Sequence, residues 1–311
     1  MKRQRGMSLV ELIVASALGL LALLFGAALL VSSNQAWLTH SEAAEVEDGG
    51  RYALEVIARA ARQAAFVNWD SGEAGIGGDP AAAPGVLGLD NHLVGRSSVA
   101  IDEAQTGAVN GSDVLALRFA GAGRGVSGDG SMSNCAGFGV GADADGWSIF
   151  YVAPAANGDA ELRCKYRGAK AWSADAIVGG VDTFQVLYGL DTDNPPDGLP
   201  NLYVRAAIVQ ALDDALVLEG MDSSERERDL RRKTHWKRIA SVRVALVLHG
   251  QRRAPSGMAP AVFDLFGSAY SDAQGSEDMG VRLAEAAMAP ELRQRQRRLF
   301  SSTILLRNPS Q

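Results

Sequence analysis

Residues 12–31, LIVASALGLLALLFGAALLV, hold one clearly polar side chain, Ser16. As an α-helix at about 1.5 Å per residue this run spans a hydrocarbon core of roughly 30 Å. Lys2, Arg3 and Arg5 stand before it. The positive-inside rule keeps that end in the cytoplasm and puts the C-terminal bulk of the chain on the far side of the membrane. A cleaved secretory signal has an apolar core of only roughly 7–15 residues and a small-residue cut site. This run is longer, and it passes into a second helical pattern with no proline before Pro80. A plain signal-anchor fits the length but gives no reason for Glu11. A carboxylate near a bilayer centre costs about 2.5–3.5 kcal/mol on insertion scales.

Beyond that run, 311 residues allow one or two domains with a real core. Loss of the three leading positive charges would take the formal net charge from −6 to −9. That argues against nonspecific nucleic-acid binding by the bulk surface, so nucleic acid is not expected as a partner. Cys135 and Cys164 form no CxxC pair and the four histidines are scattered, so a zinc site is unsupported. A single disulfide in an oxidising compartment is the better reading of the two cysteines, with two buried thiols as its alternative. GxSxG, P-loop, HExxH and dinucleotide patterns do not occur in a fitting context. The glycine-rich GAGRGVSGDG is followed by no helix signal, so it is not a phosphate cradle. The chain reads as a substrate of enzymes, not an enzyme.

Ala53, Val56, Ile57, Ala60, Ala61 and Ala64 recur on one face of a helix. Their small side chains let a sheet approach closely. Gly49 and Gly50 interrupt the pattern at about 1 kcal/mol each relative to Ala, which predicts a kink or local melting near Asp48–Gly50. Residues 67–95 read mostly as loop. Residues 112–121, 147–153 and 161–168 read as strands, the last two paired across PAANGD, with a long glycine loop carrying Cys135 before them. A Cys135–Cys164 bridge would pin that loop to the sheet. Two further strands flank the acidic turn in 181–206. SSERERDLRRKTHWKR reads as a solvated helix or linker, 239–250 as a buried strand, and the stretch after it as loop. RQRRLFSSTILLRNPS reads as a final strand with Phe300, Ser302, Ile304 and Leu306 on one side.

In the acidic turn, Asp191, Asp193 and Asp197, with Asn194 and Asn201, could supply oxygen ligands to calcium. Pro195–Pro196 and the missing Glu at the twelfth position depart from an EF-hand, and a rigid proline turn with solvated acids is the preferred reading. No other cofactor is expected.

RGMSLVEL resembles the class III signal of type IV pilins and the pseudopilins of type II secretion. In those families a membrane peptidase cuts after the leader's glycine and methylates the new terminus, and the fifth mature residue is Glu. The matching positions here are Gly6, Met7 and Glu11. Met7 departs from the usual Phe. EDGGRYALEVIARAARQAAF, WKRIASVRVALVLHG and the closing RRLFSSTILLRN resemble segments of PilW-type minor pilins.

The resemblance implies an α+β, pilin-like fold: a long N-terminal α-helix packed on an antiparallel β-sheet with large loop insertions. It implies a leader at 1–6, a transmembrane and filament-core helix at 7–31, its amphipathic continuation at 32–66, and a periplasmic β-rich domain at 67–311. The expected partners are the prepilin peptidase/N-methyltransferase, other minor pilins, the major pilin and inner-membrane lipid. The expected place is the inner membrane, then the pilus tip as part of a priming complex. In a dry helix bundle a carboxylate needs a cation, and the new Met7 amine would pair with Glu11. A minor pseudopilin, or a tip adhesin or DNA-uptake subunit, remain open alternatives.

Overall fold

The computed structural model describes residues 7–69, 79–156, 158–253 and 259–308. One helix, α1, runs Leu9–Gln63. The chain divides into two compact units, residues 1–45 and 46–311. Among the described residues the first holds α1 up to Glu45, including its exposed apolar run. The second holds the last turns of α1 and all thirteen strands among the described residues.

Those strands are β1 (Val86–Leu89), β2 (His92–Leu93), β3 (Gln105–Thr106), β4 (Val114–Ala120), β5 (Asp145–Pro154), β6 (Ala160–Arg167) and β7 (Trp172–Gly179). Then come β8 (Val181–Leu190), β9 (Leu202–Val204), β10 (Ile239–Arg253), β11 (Val262–Asp264), β12 (Arg282–Ala284) and β13 (Arg295–Leu305). Three shorter helices are α2 (Ala206–Asp214), α3 (Ser223–Lys233) and α4 (Ser268–Gln274). A five-stranded antiparallel sheet has the order β1-β4-β5-β6-β7, and a four-stranded one the order β13-β10-β8-β9. One core cluster draws on α1, through Ala53, Ile57, Ala60, Ala61 and Ala64, and on both sheets. The fold is therefore the α+β arrangement expected from the sequence, with two large sheets and two two-stranded ones, β2-β3 and β11-β12, where one sheet was expected.

The helix is unbroken through Asp48–Gly50, against the expected kink or melting. A Cβ on Gly50 would overlap the Phe300 ring, and one on Gly49 would meet Val178 at 2.9 Å. The glycines therefore admit neighbours and do not melt the helix. The stretch 67–95, expected as loop, contains β1 and β2, and the loop expected after residue 250 contains β11 and α4. Their hydrophobic runs are too short to show a period. The pairing of β5 with β6 across 154–159, the strands around the acidic turn and the exposed helix α3 agree with the sequence.

The closing strand joins the helix through its signature residues. Phe300 fills the space over Gly50. Arg298 reaches Glu47 of α1 at 3.0 Å. Arg297, fully buried, binds Asp182 of β8 and Glu285, each at 2.8 Å. Asn308 donates from Nδ2 to the Ala64 carbonyl at 3.2 Å and so satisfies one orphan acceptor at the helix end.

Two acids, the buried Asp113 and the half-buried Asp90, tie the two sheets and α2 together, and a third, Asp278, is buried as well. Asp113 accepts N–H groups from Asn91 (3.0 Å) and from Val186 on β8 (2.9 Å). Asp90 accepts both Ala206 and Ala207 N–H at the start of α2, each at 2.8 Å. Asp278 accepts the Tyr270 hydroxyl at 2.8 Å. Burial pushes all three carboxyls up, and the negative charge of Asp90 adds to the rise at Asp113 and Asp278. Burial carries Asp278 to about 6, against the Tyr270 hydrogen bond.

On this packing, Gly50→Ala should destabilise the folded unit by about 1–3 kcal/mol from overpacking, although Ala is the better helix former by about 1 kcal/mol. Combining it with Phe300→Ala should recover part of that loss. Additive effects in chemical denaturation would refute the contact. A carboxyl raised on folding adds stability below its unfolded value near 4, and loses it as pH rises through about 6. Asp278→Asn should therefore raise Tm at pH 7, with the gap closing towards pH 4. A gap that does not change across thermal scans at pH 4–7 would disprove the assignment.

Candidate functional site: the N-terminal motif and the apolar helix

Met7, the first described residue, is exposed, and Gly6 lies outside the described residues. Just after it the helix begins with a reciprocal cap. Ser8 N–H donates to Glu11 Oε2 at 2.9 Å, and the Ser8 hydroxyl donates to the same oxygen at 3.1 Å. The Glu11 N–H returns a bond to Ser8 Oγ at 3.3 Å. This is a capping box, S-x-x-E, which pairs two helix-start donors that have no intrahelical acceptor. The sequence reading missed it, although Ser8-Leu9-Val10-Glu11 displays the pattern. Glu11 also lies in the first turn, where the positive end of the helix dipole favours a carboxylate.

Past the cap the helix is apolar and exposed. An 18-residue window is long and apolar enough to cross a membrane, and none of it is buried by the rest of the described chain. Ser16 turns its hydroxyl back onto the Ile13 carbonyl at 3.0 Å, so it places no unpaired donor in an apolar medium. Ala15, Gly19, Ala22 and Gly26 recur at spacings of four, three and four, and nothing lies within 4 Å of a Cβ placed on either glycine.

Cys135 and Cys164 form a disulfide with their Cα atoms 5.9 Å apart. It ties the glycine loop to β6, and Cys135 N–H donates to Ser148 Oγ at 3.0 Å. Beside it a cavity of about 350 Å³ opens between α1 and β7, lined in part by Tyr52, Val56, Arg59 and Ile177.

The acidic turn brings its three expected residues together. One oxygen from each of Asp191, Asp193 and Asp197 lies within 4.8 Å of the others. Asp191 is buried and accepts N–H groups from Asp193 (3.0 Å) and Gly198 (2.7 Å). Asp197 accepts from Leu199 N–H at 2.8 Å and Asp193 from Asn201 Nδ2 at 3.1 Å. Burial works to raise the Asp191 carboxyl, but the two backbone donors and Arg238 outweigh it and leave it below its ordinary value. Arg238 also donates to the Asp193 carbonyl. The donor set has the oxygen chemistry of a calcium site. Its lone pairs are nonetheless engaged by the loop's own N–H groups, and a guanidinium sits beside it. The arrangement fits a self-closed turn better than an ion cage.

The family model described as Type IV Pilus-assembly protein W matches residues 149–308, from β5 to the Asn308 that caps α1. A second model, the prokaryotic N-terminal methylation motif, matches residues 1–27. No curated protein matches the chain significantly. Among solved structures, the type IV-like pilin TTHA1219 from Thermus thermophilus is similar at a TM-score of 0.41 and 13% identity, over 85% of this chain and 98% of that one. The match to more than half of the sequence, together with the motif at its start, places the chain in the Type IV pilus-assembly protein W family.

Proposed function

We infer that the chain works as a type IV pilus minor pilin, anchored in a membrane by the apolar part of α1. The observation that carries this reading is the continuity of one helix from a capped, processable terminus, through an exposed apolar run, into the core of a folded body. Prepilin peptidase cuts after Gly6 and methylates the amine of Met7. The body faces the periplasm. Assembly withdraws the anchor from lipid into a bundle with other minor pilins and the major pilin, in a priming complex that stays at the tip. The chain is then a structural subunit, and the Asp191, Asp193 and Asp197 turn needs no calcium to hold its shape.

Glu11 has two roles in this scheme. Its Oε2 caps the helix through Ser8. Because Ser8 N–H is one residue from the Met7 nitrogen, the same carboxylate already faces the terminus that cleavage creates. Its charge pairs with that amine or with a neighbour's, as a lone polar group pins register in a coiled coil. The small residues at 15, 19, 22 and 26 suit close helix packing without a water-driven hydrophobic term.

The two roles of Glu11 separate in variants. Glu11→Gln keeps the cap acceptor and removes the charge. It should still be cleaved, yet fail to enter pili as fully as Glu11→Ala does. Normal incorporation of the Gln variant in sheared pilus fractions would leave only the cap. Deleting the gene should abolish pili and twitching. Intact pili with lost exoprotein secretion would instead assign a minor pseudopilin, the second reading of the terminus.

A further inference from the structure

The outer face of the five-stranded sheet carries an alternating row of cations and indoles. Arg118 of β4 pairs in register with Trp147 of β5, and Arg167 of β6 with Trp172 of β7. The pairing of Ile149 with Lys165 brings Trp147 level with Arg167 two residues on. The row is therefore Arg118, Trp147, Arg167, Trp172 across four neighbouring strands. Arg118 is engaged by Asp145 at 2.7 Å and by the Ala83 carbonyl at 2.9 Å. Arg167 is exposed and has no ion pair or side-chain hydrogen bond among the described residues.

Here the row borders a cavity of about 380 Å³ lined by Val99, Ala100, both tryptophans, Arg167 and the 168–171 turn with Lys170. That lies at the small end of the roughly 300–1,000 Å³ typical of small-molecule sites. The two indoles, both half-buried, meet edge to face with centroids 5.9 Å apart. Lys165 lies beside the cavity and holds the covering segment down. Its ammonium group, buried on β6, donates to Ser98 Oγ at 3.0 Å and to the Ala100 carbonyl at 2.5 Å, and lies 5.4 Å from the Trp172 ring centre. Asp102 and Glu103 on the covering segment offset its charge. The charged side chains that line the mouth are Arg167 and Lys170. Neither tryptophan N–H has an acceptor among the described residues, and the polar side chains among the lining residues, those of both tryptophans, Arg167 and Lys170, carry donors only.

We propose that this pocket binds an acidic sugar, a pyranose ring bearing a carboxylate, alone or within a polysaccharide. The apolar face of the ring packs on an indole. Its carboxylate takes the Arg167 fork or the Lys170 ammonium, and its hydroxyls accept from the indole N–H groups. Single-stranded DNA fits less well. Serial base stacking uses successive platforms along a basic groove, and here two indoles inclined at 63° close one corner. The site goes beyond the minor-pilin reading and rests on it only in placing this face outside the membrane.

The test titrates the mature full-length chain, in detergent, with a tetramer of galacturonic acid, following tryptophan fluorescence. A neutral galactose tetramer and an eight-residue oligothymidylate are the other two arms. Saturable binding of the acidic tetramer is expected, at least tenfold tighter than of the neutral one and weakened by salt. Arg167→Gln with Lys170→Gln, both exposed heads that leave folding intact, should lower affinity tenfold or more, and Trp172→Ala should do the same. Trp69→Ala, at an exposed residue outside the pocket, should bind like the parent. No saturable binding, equal binding of the neutral tetramer, preference for the oligothymidylate, or unaltered binding by the charge variants would each overturn the proposal. The charge variants should still enter pili, because their residues lie on the sheet face away from the core shared with α1. Variants that bind normally but block assembly would also overturn it, and would leave the minor-pilin reading standing.

Discussion

The folded body depends on how closely its last strand can approach its first helix. Gly50 leaves room for the Phe300 ring, and the alanines at 53, 60, 61 and 64 keep the rest of that face low. Dispersion between atoms falls off within an ångström of contact, so a larger residue at Gly50 would forfeit packing along the seam. The chain ends of the unit are thus joined across nearly its whole length. A strand closing more than 230 residues after its helix partner gives contacts of high sequence separation, which form late and cooperatively.

Around that contact the C-terminal motif divides its work. Phe300 packs, Arg298 makes an exposed ion pair worth about 0–1 kcal/mol, and Asn308 caps the helix. Arg297 differs in kind. Its guanidinium is wholly buried between Asp182 and Glu285, so removing either partner leaves a charge without water. Nearby, Arg295 contacts both His249 (2.7 Å) and Asp159 (3.0 Å). The network joins β8, β10, β13 and the β5–β6 turn at one end of the sheets. The closing motif therefore fastens the last strand to the helix through Phe300, Arg298 and Asn308, and to the neighbouring strands through Arg297 and Arg295.

The less tightly packed parts of the body lie elsewhere. The glycine loop is held by the Cys135–Cys164 bridge and by a small cluster in which Met132 and Val140 pack on Phe119. The outer face of the five-stranded sheet is covered only in part by residues 92–104, with Val94, Ala100 and Ile101 against Ile149 and Tyr151. Where that cover ends, the tryptophan pocket begins. The fastenings between helix and sheets and the open outer face thus occupy different parts of the chain.

Legibility tracked the strength of the periodic signal. The apolar run, the helical stripe from Ala53 to Ala64, β10 and the last strand were readable, because each repeats a pattern for two or more turns or pleats. The strands β1, β2 and β11 were not, since four residues or fewer carry no period. Glu11 was readable as an anomaly of charge; its partner Ser8 was readable only through the S-x-x-E spacing, because a hydroxyl beside an apolar run carries no such anomaly. Gly49 and Gly50 misled for a related reason: propensity weighs a glycine by its backbone entropy, and only the neighbour explains it.

By itself the sequence determined the anchor, the processing signal, the family and the single helix that joins them, because hydrophobic length, charge order and local motifs act within a few residues. The tertiary structure alone decided that the sheet is two sheets, that the glycines at 49 and 50 are contact points, and that Arg297 is buried. It also set four residues from four strands into one row of cations and indoles. Those outcomes depend on strand register and on side chains brought together from distant positions, and no local pattern encodes which strand will lie beside which.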